Sequence, residues 1–312
     1  MQYYLDILIL VGLFTIVNVS FNLVLGYAGL FSVGHGIFYG LGAFISALLA
    51  IHLGISPWLS IPIAMILTAV ISLLIALPSL RVSEYYFSIA ALGFQVVMVQ
   101  VLLNVDAFGG ASGRGGIPQL MSTRTVGGTL GFVGLVFAIA ILTILASLWI
   151  VRLPFGRVLQ AIREDEAATE LLGKNVTSYK LQVFMISAAM AALAGGLYAH
   201  YYLYLNATSF DIPFSIQLVS MVLVGGMGTI MGPVVGSALL VILPEALRFV
   251  PLPAGAGAPL RVMIYAATVL VFLYVRPNGI LGGRRRDLQE SPSEASQSAD
   301  TVSAADSMGN AL

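Results

Sequence analysis

One long charged stretch, LPFGRVLQAIREDEAATELLGKNVTSYK from Leu153 to Lys180, interrupts an otherwise apolar chain. Apolar sequence precedes and follows it, so it is a polar loop between two hydrophobic blocks. Pro154 ends the preceding span, because proline cannot donate a hydrogen bond inside a helix. Residues 157–172 favour helix, and Gly173 is a typical C-terminal stop. The stretch therefore predicts a short loop helix between two apolar blocks.

Composition places the chain in a membrane. Its 312 residues are 59% hydrophobic and 9% charged, with a mean hydropathy of +0.97, whereas a soluble domain carries about 25% charged residues. Such a chain cannot cover a water-facing surface, which predicts an all-α polytopic membrane protein. The lack of cysteine excludes thiol catalysis, disulfides and cysteine-ligated metals. A net charge of zero and three scattered histidines indicate neither nucleic-acid binding nor a metal site, and we expect no cofactor.

Apolar runs divide residues 1–283 into eight or nine transmembrane or broken helices, since a membrane helix needs roughly 20 residues. Residues 214–247 are too many for one helix. Their centre, GGMGTIMGPVVG at residues 225–236, predicts two short or broken segments. The other predicted spans are residues 4–25, 30–52, 57–77, 85–104, 127–151, 181–204 and 260–275.

The placement of lysine and arginine predicts the orientation in the membrane. Ten of the fourteen lie on the side of the 153–180 loop, and four lie on the opposite side. We therefore expect the loop and the C-terminus to be cytoplasmic. Residues 284–312 have no aromatic side chain, and we expect them to form a disordered cytoplasmic tail. The ten are Arg81, Arg152, Arg157, Arg163, Lys174, Lys180, Arg276 and Arg284–Arg286, and the four are Arg114, Arg124, Arg248 and Arg261.

Two glycine-rich blocks, residues 26–42 and 225–236, each lie between apolar runs. Glycine-interrupted segments at corresponding places in two halves of a chain are typical of an internal repeat in transporters, with the pathway at the breaks. Alternatively, the glycines simply let helices pack closely. Glycine alone leaves both interpretations open.

Neutral polar residues inside the spans are further candidates for a pathway. Asn18 and Asn22 lie four residues apart and therefore share one helical face. Each such residue is by default an interhelical hydrogen-bonding group, and the alternative is that some of them line a polar conduit. The candidate pathway residues are Asn18, Asn22, Ser32, His35, Gln95, Gly225 and Gly228.

The predicted loop helix has one apolar stripe. Such a helix either lies passively in the lipid interface or inserts its apolar edge into a groove on a soluble partner. Four acidic residues between Glu164 and Glu170 disfavour contact with anionic lipid, so we favour docking. The stripe consists of Ala161, Ile162, Ala168, Leu171 and Leu172.

The chain carries no visible source of energy and no catalytic pattern. The phosphate-binding sequence G-x-x-x-x-G-K-[ST] is absent, so if ATP drives this protein, another polypeptide hydrolyses it. Only Glu245 is an acid near a span interior, which counts against an ion-coupled secondary carrier, because such carriers place carboxylates at mid-depth. A membrane enzyme would need a nucleophile–base pair or a metal-ligand pattern, and neither is present.

Five segments resemble one known family. Residues 156–175, GRVLQAIREDEAATELLGKN, look like the signature loop of LivM-type permeases, the membrane subunits of bacterial ABC importers for branched-chain amino acids. Residues 22–43 are similar to that family's early motif, and GGASGRGGIP at residues 109–118 resembles its glycine-rich segment. GGMGTIMGP at residues 225–233 and RPNGILG at residues 276–282 look like its late motifs. The matches run in order over most of the chain.

The resemblance implies that residues 157–172 form a coupling helix that docks on an ABC ATPase. It also implies two LivG/LivF-like ATPase subunits, a LivH-like partner permease and a periplasmic binding protein, in the bacterial inner membrane. Relatives for urea, short amides or other amino acids exist, and this chain departs from many relatives around Leu30 and at Gly36, which leaves the substrate open. The residues expected to serve coupling are Arg157, Ile162, Arg163, Glu164, Glu166, Ala167, Ala168, Leu171 and Gly173.

Overall fold

The computed structural model describes residues 2–79, 84–122, 125–247, 257–276 and 279–282. They belong to one unit, Met1–Gly282. The expected tail at residues 284–312 lies outside the described residues, as do Arg81, Arg124 and Arg248.

Helices, most of them apolar, make up most of the described residues. Six of the described helices are long and apolar enough to cross a membrane, and three further apolar helices are shorter. The prediction of an all-α polytopic membrane protein is therefore confirmed. The helices are α1 Gln2–Asn22, α2 Gly36–His52, α3 Pro57–Ser79, α4 Glu84–Asn104, α5 Val126–Arg152, α6 Pro154–Glu164, α7 Glu166–Leu171, α8 Val176–Tyr202, α9 Ile212–Gly225, α10 Met231–Leu247 and α11 Gly257–Val275.

Two predicted span boundaries are wrong. The span predicted at residues 30–52 forms helix only from Gly36, because Gly29 has a positive φ of 74° and the chain turns before α2 begins. The span predicted at residues 181–204 begins earlier, at Val176. The Asn175 side chain caps that helix by accepting a hydrogen bond from the Ser178 backbone N–H at 3.1 Å.

The core is built on close packing of α2 and α3 against α8. Gly42 of α2 leaves room for the α8 backbone, since a methyl group there would lie 2.6 Å from Ala192 Cβ. Fully buried aromatic rings fill the adjacent space, with Phe38 edge-on to Phe184 at a ring separation of 5.3 Å. For Gly42 the close-packing interpretation of the first glycine block therefore holds.

The glycine-rich segment between α4 and α5 is fastened to the end of α8. Its short strand β1, Arg114–Gly115, pairs antiparallel with β2, Tyr204–Leu205. The His200 Nδ1 lies 2.8 Å from the Pro118 carbonyl oxygen. Because a carbonyl can only accept, Nδ1 carries the proton and Nε2 accepts from the Ser46 hydroxyl at 2.9 Å.

Candidate functional site at the two helix breaks

The first helix break follows α1. The helix continues as a π-helical turn, Leu23–Tyr27, and π-helical turns within α-helices are frequent at functional sites. The chain then leaves helical geometry, with the Leu30 N–H still bonded to the Val24 carbonyl at 3.0 Å. This break lies within the first glycine-rich block.

The second break separates α9 from α10 and lies within the other glycine-rich block. Its Gly228 has a positive φ of 75°, a conformation that favours glycine. The two breaks meet, because a Cβ atom on Gly26 would lie 2.6 Å from the Gly228 nitrogen. The two glycine-rich blocks, about 200 residues apart in sequence, therefore form one structural feature.

Asn22 joins the breaks through both ends of its side-chain amide. Its Nδ2 donates to the Thr229 carbonyl at 2.9 Å, and its Oδ1 accepts from the Gly228 N–H at 3.0 Å. The side chain is only 1% exposed. The residue therefore satisfies backbone groups that the second break leaves without a helical partner.

The end of α9 is capped by the last described residues of the chain. The Leu281 N–H donates to the Gly225 carbonyl at 3.0 Å, and the Ile280 N–H donates to the Val224 carbonyl at 2.9 Å. The late motif at residues 276–282 thus returns to the break and satisfies carbonyls at a helix C-terminus.

Two of the other candidate pathway residues, Asn18 and Gln95, form hydrogen bonds to other elements. Asn18 Nδ2 donates to Ser237 Oγ on α10 at 2.7 Å. Gln95 Nε2 donates to the Phe210 carbonyl at 2.9 Å, and its Oε1 accepts from Ser215 of α9, also at 2.9 Å. Both side chains are buried. Their arrangement matches the default role of an interhelical hydrogen-bonding group.

His35 and Ser32 are also buried inside the chain. His35 stacks on Phe21 at a ring separation of 4.7 Å, and its Nε2 lies 3.2 Å from Ser187 Oγ. The Ser32 hydroxyl has no hydrogen-bond partner within the described residues. Only Asn22, Gly225 and Gly228 of the predicted set come together at the breaks, and a pathway role for the set stays a prediction.

The charged loop contains two helices, not the single helix predicted at residues 157–172. Helix α6 starts at Pro154, which occupies the first turn where proline needs no hydrogen-bond donor. It ends at Glu164, because Asp165 is extended, with φ −153° and ψ 109°. The Asp165 carboxylate then caps α7 by accepting from the Ala168 N–H at 2.9 Å. The predicted stop at Gly173 is consistent with its positive φ of 76°.

The split also divides the predicted apolar stripe. Ile162 and Leu159 are buried, and Leu159 belongs to the hydrophobic core shared with the transmembrane helices. Leu171 and Leu172 are 89% and 78% exposed. The stripe is therefore wrong as one continuous face, and an exposed apolar tip is formed by Leu171 and Leu172 alone.

Two charged side chains connect the loop to the rest of the chain. Lys180 of α8 donates to Glu166 of α7 at 2.6 Å, and this lysine side chain is only 9% exposed. Arg163 of α6 donates through Nη1 to the Gly26 carbonyl at the first break. Arg163, Glu166 and Lys180 line a cavity of about 50 Å³ together with Gly29. Of the residues expected to serve coupling, Arg157, Glu164, Ala167 and Ala168 are exposed.

The serines that bond to His35, Gln95 and Asn18 were not predicted from the sequence. Ser187, Ser215 and Ser237 were not candidates, although each lies buried in an apolar helix and completes a hydrogen bond. Their presence as isolated polar residues in apolar spans was the available signal. Arg163 was predicted as a coupling residue, but nothing in the sequence indicates that it contacts Gly26.

Comparison with known proteins identifies the family. A family model described as "Branched-chain amino acid transport system / permease component" matches residues 3–273. The chain belongs to this permease family. The branched-chain amino acid permease LivM of Escherichia coli strain K12 is 32% identical over 309 residues, which cover 91% of this chain and 71% of the relative.

More distant relatives include both permease types. A probable LivM of Methanocaldococcus jannaschii is 27% identical, covering 88% of this chain and 92% of the relative. The LivH permease of Escherichia coli strain K12 is 26% identical, covering 86% of this chain and 91% of the relative. No solved structure gives a significant match.

Proposed function

We propose that this chain is a transmembrane permease subunit of an ATP-binding cassette importer for branched-chain amino acids. It is a multi-pass membrane protein, and we place it in the bacterial inner membrane with its C-terminus in the cytoplasm. Membership of the permease family and the names of its LivM and LivH relatives support this function. The observation that carries it is a loop that presents an exposed apolar tip and is hydrogen-bonded to the first helix break.

The exposed tip supports docking on a soluble partner. Leu171 and Leu172 are almost fully exposed at the end of a charged loop, and burying such side chains is worth about 1.5–3 kcal/mol each. Exposed acidic residues surround the tip, which disfavours anionic lipid as the partner. The chain has no phosphate-binding loop of its own. We therefore assign the tip to a groove on an ABC ATPase subunit.

The complete transporter contains further subunits in this proposal. Two LivG/LivF-like ATPases bind on the cytoplasmic side, a LivH-like permease forms the second half of the membrane domain, and a periplasmic binding protein delivers substrate. Closure of the ATPases on nucleotide moves α6 and α7, and this movement changes access to the pathway.

Reconstitution in liposomes tests the proposal. The chain, assembled with LivG/LivF-like ATPases and a LivH-like partner permease and supplied with a binding protein, should take up radiolabelled leucine only with ATP. Uptake by the chain alone under an ion gradient would instead identify a secondary carrier. Uptake of urea or acetamide but not of leucine would support the importer function and change the proposed substrate.

Substitution at the tip tests the docking surface. The double variant Leu171→Ser/Leu172→Ser should lose ATPase association by at least about tenfold, since two exposed leucines are worth more than 1.4 kcal/mol when buried. Leu53→Ser is a matched control, because Leu53 is 66% exposed at the opposite end of the apolar helices. Equal association of both variants would remove the tip from the interface.

A further inference from the structure

We propose that Arg163 is the positioning residue through which movement of α6 and α7 reaches the two helix breaks. The inference rests on the proposed function, because it assigns a step within ATP-driven transport. It concerns how a movement is transmitted inside this subunit.

The first observation is the position of Arg163 between the loop and the first break. Its side chain extends from α6 and donates through Nη1 to the carbonyl of Gly26, which lies in the π-helical turn. A carbonyl at a helix break lacks a regular helical donor, and a hydrogen bond from a charged donor is stronger than one from a neutral donor. Arg163 thus supplies a directional bond between the loop and the first break.

The second observation is that both breaks leave space for this one side chain. A methyl group on Gly29 would lie 3.0 Å from Arg163 Cγ, and one on Gly228 would lie 2.8 Å from Arg163 Nη1. Both glycines have positive φ, 74° and 75°, so neither backbone conformation nor space favours a larger residue. The guanidinium therefore contacts the first break and lies against the second.

The third observation is that the breaks themselves are joined, so a force on one reaches the other. Asn22 bonds to the Gly228 N–H and the Thr229 carbonyl, and α10 starts two residues later, at Met231. Packed, hydrogen-bonded elements of this kind transmit small displacements because they have discrete arrangements. Displacement of α6 would act through Arg163 on the first break and through Asn22 on the start of α10.

Arg163 is exposed, so its substitution does not remove a buried side chain from the core. The cavity beside it measures about 50 Å³, more than the roughly 10–15 Å³ that one water needs. Water can therefore replace the lost donor at the Gly26 carbonyl when the arginine is shortened. Folding and transmission can be separated experimentally for this reason.

The test uses the complete transporter in liposomes and two measurements. Leucine transported per ATP hydrolysed reports coupling. A nitroxide on Met231→Cys reports movement at the start of α10, since Met231 is 50% exposed and the chain has no native cysteine. Arg163→Gln should retain ATP hydrolysis, lose the nucleotide-dependent change of the nitroxide spectrum, and reduce transport per ATP at least about fivefold, the low end of typical coupling between sites. Arg152→Gln, an exposed arginine next to the loop, should behave as the parent.

The outcomes separate the two proposals. A parent transporter without ATP-dependent uptake overturns the proposed function and this inference with it. A functional parent whose Arg163→Gln variant keeps its transport ratio and spectral change overturns this inference alone.

If the Arg163→Gln variant does not assemble, the Arg163→Lys variant decides between transmission and a purely structural role. Assembly with a reduced ratio and a reduced spectral change supports transmission, because lysine lacks the forked donors of arginine. Full recovery of both measurements, or failure to assemble, shows that Arg163 only builds the subunit and overturns the inference.

Discussion

Single side chains fix the relation between segments that lie far apart in the sequence. Asn22 uses one amide to satisfy a backbone N–H and a backbone carbonyl of the second break, more than 200 residues away. In a membrane, backbone groups outside regular helix must find protein or water partners. The stability of the joined breaks therefore depends on this residue.

Replacement of Asn22 by alanine should destabilise the protein. The variant leaves the Gly228 N–H and the Thr229 carbonyl without their partner, and an unpaired buried polar group costs roughly 1–3 kcal/mol. Unfolding in mixed micelles with increasing SDS, followed by circular dichroism, measures the loss. Asn104→Ala is the control, because Asn104 is exposed and bonds only to Gln100 within its own helix. Equal losses in both variants would contradict the role of Asn22.

The hydrogen bonds around His35 determine which ring nitrogen carries its proton. The Ser187 hydroxyl donates to the Ser20 carbonyl at 2.6 Å. A hydroxyl has one hydrogen, so its 3.2 Å contact with His35 Nε2 requires the histidine to donate. His35 is therefore a packed donor between helices.

His35→Gln should retain more stability than His35→Asn. The glutamine Nε2 reaches the position of the histidine Nε2 and can still donate to Ser187, whereas the asparagine amide is too short. We expect a difference of about 1 kcal/mol, the typical net value of one hydrogen bond, in the same SDS titration. Asparagine equal to or better than glutamine would show that the Ser187 bond does not contribute.

The sequence predicted part of this arrangement of polar side chains. Asn18 and Asn22 were placed on one helical face from their spacing, and both bond to the α9–α10 region. Their partners could not be predicted, because nothing local specifies a contact across 200 residues. Ser215 and Ser237 gave too weak a signal, since serine is common in membrane helices.

At the scale of elements, the loop shows where helix propensity fails. Residues 157–172 favour helix throughout, yet Asp165 is extended and divides them. Aspartate competes for backbone donors and is a preferred N-cap, and Thr169 adds a bond to the Asp165 carbonyl at 2.7 Å. The capping residue was visible in the sequence. Helix α6 packs on α5 and α8, and α7 packs on α8, contacts that the sequence does not specify.

Removing either partner of the ion pair between α7 and α8 should destabilise the protein, but by different amounts. The Lys180 side chain is 9% exposed and the Glu166 side chain 54% exposed. Glu166→Ala leaves a buried ammonium unpaired, whereas Lys180→Met leaves a carboxylate that water can solvate. Glu166→Ala should therefore cost about 1–2 kcal/mol more, below the range for fully buried pairs because of screening.

A double-variant cycle checks this asymmetry. Glu166→Ala/Lys180→Met should recover to the stability of Lys180→Met alone, because the unpaired charge is gone. The SDS titration again gives the free energies. A larger loss in the Lys180→Met variant would show that the lysine hydrocarbon stem, and not its charge, is the main contribution.

At the scale of the whole molecule, helix α8 is long enough to connect the loop with the opposite membrane face. Its 27 residues extend about 40 Å at 1.5 Å per residue, more than the roughly 30 Å hydrocarbon thickness. The sequence predicted this span. The lysine and arginine bias places the loop on the cytoplasmic side, and this stays a prediction. The sequence could not predict that the two glycine-rich blocks meet, since that contact depends on how α1, α9 and α10 pack.

Single-cysteine labelling tests the predicted orientation, because the chain has no native cysteine. Leu172 and Thr208 are exposed residues just before and just after α8, and a crossing helix puts them on opposite sides of the membrane. With the chain expressed without ATPase subunits and a membrane-impermeant maleimide, Thr208→Cys should react in intact spheroplasts. Leu172→Cys should react only after permeabilisation, since loops rich in lysine and arginine stay inside. Ser187→Cys, buried within α8, should stay unlabelled in both. The reverse pattern would put the loop outside, where no ATPase can reach it. Labelling of both exposed sites from one side would mean that α8 does not cross.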